Sequence, residues 1–218
     1  MKLRYLIWFL GTLIFLVLSC NNWGREELPI YNPSDFNAEL VDVSLQSNNG
    51  NHTVSDFELI NQNGKIVTQE DYRDRVYIVD FFFTRCPSIC PLMTSNMIKI
   101  QNEFINNSDI MLLSLSVTPE IDSISVLRKY ANDKGAIDSK WNITTGNKKH
   151  IYELARKSYF AVVEQGDGGM QDFIHTPNFI LVDKKRQIRG VYNGTEDEEI
   201  NRLMDDLRIL IKSNEKLL

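Results

Sequence analysis

Two cysteines separated by three residues are the part of this sequence best suited to chemistry. Cys86 and Cys90 flank Pro87-Ser88-Ile89 and follow a long apolar run at residues 76–83. The spacer is wide enough for the two sulfurs to spread around a metal ion, yet they can still close to a disulfide. In an oxidising compartment such a pair can be a disulfide, a dithiol or a metal site.

The residues around the cysteines predict a strand, a turn and a helix. Residues 76–83 are rich in aromatic and β-branched side chains without alternation, which favours a strand buried on both faces. Pro91 suits the first turn of a helix, which we expect to run to about residue 106. The cysteines would then lie beyond the carboxyl end of a central strand, where open α/β sheets carry their sites. The helix N-terminus would favour a thiolate there.

The first residues have the features of a secretory signal. Lys2 and Arg4 precede an uncharged, mostly apolar run at residues 5–18, which is shorter than the roughly 20 residues of a spanning helix. Leu18-Ser19-Cys20 resembles the lipobox of bacterial lipoproteins, which implies that Cys20 becomes the lipidated first residue. The alternative is an uncleaved amino-terminal anchor. Both readings place the rest of the chain outside the cytoplasm, on the periplasmic or other extracytoplasmic face of the cell membrane.

We therefore expect three parts. Residues 1–19 would be a lipoprotein signal peptide, residues 20–37 a polar tether, and residues 38–218 a single folded domain. The formal net charge of −5 has no compensating basic stripe, so the sequence argues against nucleic acid as a partner.

The order of predicted elements indicates an α/β fold. It is a mixed central sheet with helices on both faces, preceded by an N-terminal β-hairpin. The predicted elements are a hairpin within 53–70 with a type I′ turn at Asn63-Gly64, strands at 76–83, 110–117, 141–144, 159–164, 179–182 and 188–192, and helices at 91–106, 123–132, 148–159 and 196–211.

Of the three histidines, His175 is the candidate ligand. It lies directly before the predicted strand at 179–182, whereas His52 and His150 are expected at the surface. A lone histidine is more often a packed or solvated residue than a ligand, but the cysteine pair shifts those odds.

These motifs, in this order, resemble the SCO/SenC family, thioredoxin-like proteins tied to copper delivery for cytochrome c oxidase assembly. The resemblance covers residues 54–211, nearly the whole mature chain. The matching pieces are Asp80-Phe81-Phe82-Phe83-Thr84, Cys86-Pro87-Ser88-Ile89-Cys90-Pro91, Met93-Thr94, Leu115-Ser116-Val117 with Pro119-Glu120, and His175-Thr176 with Leu181-Val182-Asp183.

The resemblance implies a thioredoxin-like fold with Cys86, Cys90 and His175 as copper ligands. Two thiolates are soft ligands that favour Cu(I), and imidazole also suits copper, so Cu(I) is expected and Cu(II) stays open. The implied partner is the copper-bearing subunit of cytochrome c oxidase, or another copper protein. The protein would deliver copper to the binuclear centre or keep the cysteines of that centre reduced, which makes it a metallochaperone rather than an enzyme.

Two other functions use the same cysteines. One is a thiol-disulfide oxidoreductase or thiol peroxidase, with Cys86 as the attacking thiolate and Cys90 as the resolving thiol. The other is a redox sensor that signals through the same switch. In the enzyme, His175 would be dispensable for turnover.

Two positions affect the comparison with the family. Thr118 stands where the family commonly carries an aspartate, so this chain lacks that carboxylate. Pro177 lies two residues after His175, in the loop where ordinary thioredoxins place a cis-proline, which raises a cis bond as an option.

Overall fold

The computed structural model describes residues 27–36, 51–162 and 172–215, with a seven-stranded mixed sheet at the centre. The strand order is β2-β1-β5-β4-β3-β6-β7, in which β3, β4 and β5 are parallel and the other pairings are antiparallel. The strands are β1 Glu58–Asn61, β2 Ile66–Thr68, β3 Val76–Phe82, β4 Ile110–Ser116, β5 Trp141–Thr145, β6 Asn178–Val182 and β7 Ile188–Asn193.

Helices cover both faces of this sheet, as predicted. The α-helices are α1 Cys90–Glu103, α2 Ile124–Lys134, α3 Lys148–Glu153 and α4 Asp197–Glu215. A π-helical turn, Leu154–Ser158, continues α3. Buried residues of α1, α2 and α4 share one core, whereas α3 and the π-helical turn belong to the core on the other face. Among residues 27–36, 51–162 and 172–215, no helix is both long enough and apolar enough to cross a membrane.

Strand β3 is buried on both sides along its whole length, as its unbroken apolar run predicts. Tyr77, Val79 and Phe81 enter the core below α3, whereas Ile78 and Phe82 enter the core below α1. Because successive side chains of a strand point to opposite faces, the polar residue at position 80 lies on the α1 side. The predicted central position of this strand is confirmed.

The hairpin is present, but the predicted type I′ turn is wrong. Gly64 has φ of 74°, whereas Asn63 does not have a positive φ, and a type I′ turn needs both. The Gly64 amide instead donates to the Asn61 carbonyl at 2.9 Å, and the Asn61 amide donates to the Lys65 carbonyl at 2.9 Å. These bonds make a four-residue connection in which only glycine takes the left-handed conformation.

The strand predicted at residues 159–164 is also wrong where the structure describes it. Residues 159–162 form no strand, because Phe160 takes a φ of 49° and turns the chain. The Ala161 amide then donates to the Ala155 carbonyl at 2.8 Å, which closes the preceding helical turn. Residues 163 and 164 lie outside the described residues.

The described part of the predicted tether, residues 27–36, is bound to the domain. The Tyr31 amide donates to the Ile188 carbonyl at 2.9 Å, and Leu28 is buried in the core below α4. The Arg189 guanidinium donates to the carbonyl of Leu28 at 2.5 Å and to that of Pro29 at 2.9 Å. These contacts cover the free edge of β7, which otherwise presents unpaired backbone groups.

Candidate functional site

The two cysteines lie on the turn between β3 and α1, as predicted. Cys90 is the first residue of α1, and Pro91 follows it in the first turn, where a missing N–H is tolerated. The Cys86 amide donates to the Phe83 carbonyl at 3.3 Å and starts the loop. Both thiols are free, and their residues are only 7% and 3% exposed.

The pKa of the Cys86 thiol is lowered from the ordinary value of 9.0 to about 6. Burial opposes this shift, but hydrogen bonds outweigh it. The donors are the Cys90 amide, the Ser88 hydroxyl at 3.5 Å, the Ser88 amide and the Cys90 thiol. Cys86 is therefore largely a thiolate at neutral pH.

The Cys90 thiol is shifted in the opposite direction. Burial raises its pKa to about 12, and only the hydrogen bond from the Phe83 backbone opposes that change. The neighbouring Cys86 thiolate and the charge of Asp80 raise the pKa further. At neutral pH the pair therefore consists of one thiolate and one thiol.

Asp80 is buried on the same side of the sheet as this pair. Burial raises the pKa of its carboxyl to about 7, although the hydrogen bond that it accepts from the Ser114 hydroxyl opposes the shift. Asp80 also acts on the thiol pair, because its charge is one of the causes that raise the pKa of Cys90.

Asp122 holds the base of the cysteine loop against the end of β4. The fully buried carboxylate accepts hydrogen bonds from the Thr84 amide at 3.2 Å and the Thr84 hydroxyl at 2.5 Å. It also accepts from the hydroxyls of Ser116 at 2.5 Å and Thr118 at 3.0 Å. Thr118 therefore helps to hold the loop.

His175 lies on an extended segment directly before β6. Its ring is exposed and stacks on that of Phe173, with centroids 6.4 Å apart and planes inclined by 17°. The Phe83 ring lies beside both rings, with its centroid 5.2 Å from that of Phe173 and 6.4 Å from that of His175. Because the Phe83 backbone also bonds to both cysteines, this residue links the imidazole to the thiol loop.

The three predicted ligands are neighbours but are not assembled. Within the described residues, no three side chains of the His, Cys, Asp or Glu type lie close enough together to hold a metal ion. The donor set nevertheless fits Cu(I), because a thiolate and a second thiol adjoin each other and an exposed imidazole lies on the next segment. Met93 and Met97, four residues apart on α1, have no exposed surface and belong to the core.

Three smaller expectations concern Pro177, the other two histidines and Cys20. The Thr176–Pro177 bond is trans, so the cis option is excluded. His52 and His150 are half-buried rather than exposed, and the Nε2 atom of His52 lies 2.8 Å from the Ser158 carbonyl. Cys20, the predicted lipidation site, lies outside the described residues.

Sequence reasoning missed Asp122, although a signal was available. Thr118-Pro119-Glu120 ends a buried strand, and the aspartate comes four residues after the threonine. Short polar residues at a strand end commonly bond to nearby backbone. Nothing local, however, indicates that this aspartate also bonds to Thr84, which lies just beyond the end of β3.

The fold and the site define a thioredoxin-like protein with two free thiols directly after its central strand. The SCO1/SenC family model matches residues 45–212, and the chain belongs to that family. It is similar to the SCO1 protein homolog of Bacillus subtilis, with 34% identity over 160 residues that cover 72% of this chain and 82% of that protein.

Solved structures of Sco family proteins are also similar to this chain. A SCO1/SenC family lipoprotein of Bacillus anthracis is 27% identical with a TM-score of 0.65, covering 73% of this chain and 95% of that one. BsSco, of the Sco family of cytochrome c oxidase assembly proteins, is 33% identical with a TM-score of 0.62, covering 73% and 93%. The copper-bound ScoI of Arabidopsis thaliana shares the fold at 24% identity and a TM-score of 0.59, covering 74% and 99%.

The split between the two thiols predicts a distinct reactivity profile. The test uses residues 22–218, which omit Cys20. The rate of alkylation of Cys86 by iodoacetamide should rise about tenfold per pH unit below pH 6 and level off above pH 7, because only the thiolate reacts. Mass spectrometry after timed quenching would give the rates. Ser88→Ala should move the midpoint upward, since one donor is lost. A midpoint above pH 8 in the unaltered chain would contradict this picture.

The Asp122 contacts predict a large loss of stability on a small change. Asp122→Asn should lower the free energy of unfolding by about 2–3 kcal/mol, because an amide cannot accept from four donors as a carboxylate does. Urea unfolding followed by circular dichroism measures the change. The control is Asp205→Asn, whose exposed pair with Arg208 should be worth less than about 1 kcal/mol. Equal effects of the two substitutions would mean that Asp122 does not hold the loop.

Proposed function

We propose that this protein is a lipid-anchored extracytoplasmic metallochaperone that binds one copper ion through Cys86, Cys90 and His175. The observation that carries the proposal is the turn after β3, where a thiolate and a thiol adjoin each other and His175 lies on the neighbouring segment. The ion is cargo: the protein would supply it for the assembly of cytochrome c oxidase.

Each ligand has a separate part in binding. The Cys86 thiolate can accept Cu(I) directly, because it is deprotonated at neutral pH. The Cys90 thiol must lose its proton when it ligates, so binding should release a proton and strengthen as pH rises. His175 would complete the site from the side, and an exposed third ligand can leave again when the ion is passed on.

The recipient and the anchor are inferred from relatives and from the amino-terminal sequence. BsSco belongs to a family of cytochrome c oxidase assembly proteins, which supports the oxidase as the destination. A copper-bearing subunit of that oxidase is the proposed partner. The lipobox-like Cys20 and the lipoprotein of Bacillus anthracis support attachment to the cell membrane.

Copper binding tests the three-ligand site. In anaerobic titrations of reduced residues 22–218 against a chromophoric Cu(I) chelator, we expect one tightly held ion. His175→Ala should weaken the affinity at least about tenfold, and Cys86→Ser or Cys90→Ser at least about 100-fold, because soft sulfur ligands carry most of the affinity.

His150→Ala is the matched control, since it removes a half-buried imidazole on α3. It should leave the copper affinity unchanged. Full affinity in the two cysteine variants and in His175→Ala would reject the copper function.

A second candidate function, thiol-disulfide exchange, is favoured by the pKa split of the cysteines. The Cys86 thiolate would attack a disulfide, form a mixed disulfide and expel one thiolate of the substrate. Cys90, after losing its proton, would then attack Cys86 and expel the second thiolate, leaving a Cys86–Cys90 disulfide. BsSco contains a disulfide switch, which supports this chemistry in a relative.

Single-turnover reduction of a small mixed disulfide by the pre-reduced protein separates the two functions. If the protein is a reductase, His175→Ala should keep roughly full activity, whereas Cys86→Ser should abolish it because the attacking thiolate is gone. Parallel assays with hydrogen peroxide test the peroxidase alternative. No turnover on either substrate, together with tight Cu(I) binding, would leave the metallochaperone alone.

A further inference from the structure

The segment that carries His175 is fixed at its start by a half-buried ion pair. The Arg156 guanidinium donates two hydrogen bonds to the Asp172 carboxylate, at 2.7 and 2.6 Å. The two side chains are only 13% and 10% exposed. A planar guanidinium that bonds a carboxylate through both nitrogens fixes direction as well as distance.

A buried tyrosine joins this ion pair to the sheet. The Tyr152 hydroxyl lies 3.0 Å from the Val117 carbonyl, just beyond β4, and 3.2 Å from the Asp172 carbonyl. The Arg156 guanidinium lies over the Tyr152 ring, 5.4 Å from its centroid. The start of the His175 segment is therefore tied to the strand beside β3, which carries the cysteines.

The end of the segment is also fixed. The Thr176 hydroxyl and the Asn178 side-chain amide both donate to the Ala161 carbonyl, each at 2.9 Å. Between the two ends, Ile174 and Thr176 are buried while Phe173 and His175 are exposed. The alternation turns the imidazole outward, on the side of Phe83.

We propose that Arg156 is a positioning residue for His175, because its paired hydrogen bonds to Asp172 hold the segment from which the imidazole reaches the copper ion. This inference rests on the proposed copper function. A ligand on a segment that is already ordered loses less conformational entropy when the metal binds. Arg156 itself would not touch the ion.

The first test is Arg156→Lys, which keeps the charge but loses the forked geometry. In the full chain extracted in dodecylmaltoside and reduced, we expect Cu(I) affinity to fall about tenfold, as for other residues that orient a ligand. The dithiol reduction potential, measured against glutathione, should not change because the cysteine loop is untouched.

The matched control is Arg189→Lys. Arg189 pairs with Asp183 at 2.8 Å, and these side chains are 16% and 8% exposed, close to the burial of the Arg156–Asp172 pair. This pair lies between β6 and β7, away from the His175 segment, so the affinity should stay at the wild-type value. An equal loss in both variants would mean a general structural effect and would overturn the inference.

A double-mutant cycle tests whether Arg156 acts through His175. When His175→Ala is already present, Arg156→Lys should cost no further affinity. A further tenfold loss in that background would overturn the positioning role. If circular dichroism shows that Arg156→Lys does not fold, Asp172→Asn replaces it in the cycle, because it keeps the side-chain volume and weakens the same pair.

A metal-free measurement separates failure of this inference from failure of the copper function. Amide hydrogen exchange at residues 173–175 should be faster in Arg156→Lys than in the wild type or in Arg189→Lys. If the wild type binds Cu(I) and His175→Ala weakens it, but Arg156→Lys changes neither affinity nor exchange, only the inference is overturned. If the wild type holds no Cu(I) tightly, the copper function falls, and the role of Arg156 in copper binding falls with it.

Discussion

The geometry of the thiol loop depends on the buried Asp122 carboxylate. It accepts four hydrogen bonds and joins the end of β3, through Thr84, to the end of β4, through Ser116 and Thr118. Two parallel strands alone would fix their backbones but not the loop that leaves them. An unpaired carboxylate at this depth would be costly, so the hydroxyls and the loop must stay in place together. The base of the site is therefore bonded directly to the ends of two central strands.

On this base, the two sulfurs have different environments although they belong to one short loop. Backbone and hydroxyl donors surround Cys86, whereas Cys90 starts α1 and faces the core and Asp80. A thiolate beside a protonated thiol suits two kinds of chemistry: capture of a soft metal ion with loss of one proton, or attack on a disulfide followed by resolution. The environments of the two sulfurs are compatible with both metal capture and disulfide attack. The third side chain, His175, would distinguish them, because the proposed copper site uses it and thiol exchange does not.

His175 approaches from a segment that the rest of the fold holds independently of the cysteines. Its ring packs with the rings of Phe83 and Phe173. In the proposed site, the ion pair of Arg156 and Asp172 holds this segment, so that copper binding would move mainly the side chain of His175.

The sequence by itself determined the strand–turn–helix that carries Cys86 and Cys90, because an unbroken apolar run and a proline after the second cysteine specify those elements locally. It also placed His175 before a late strand and predicted the mixed sheet with helices on both faces. It was wrong about the turn at Asn63-Gly64 and about a strand at 159–162. At both places, backbone hydrogen bonds to residues a few positions away replace the predicted conformation. Only the tertiary structure decided the role of Asp122, the opposite pKa shifts of the two thiols and the fixing of His175. Each of these arises from burial and from contacts between residues far apart in the chain, which local patterns do not encode.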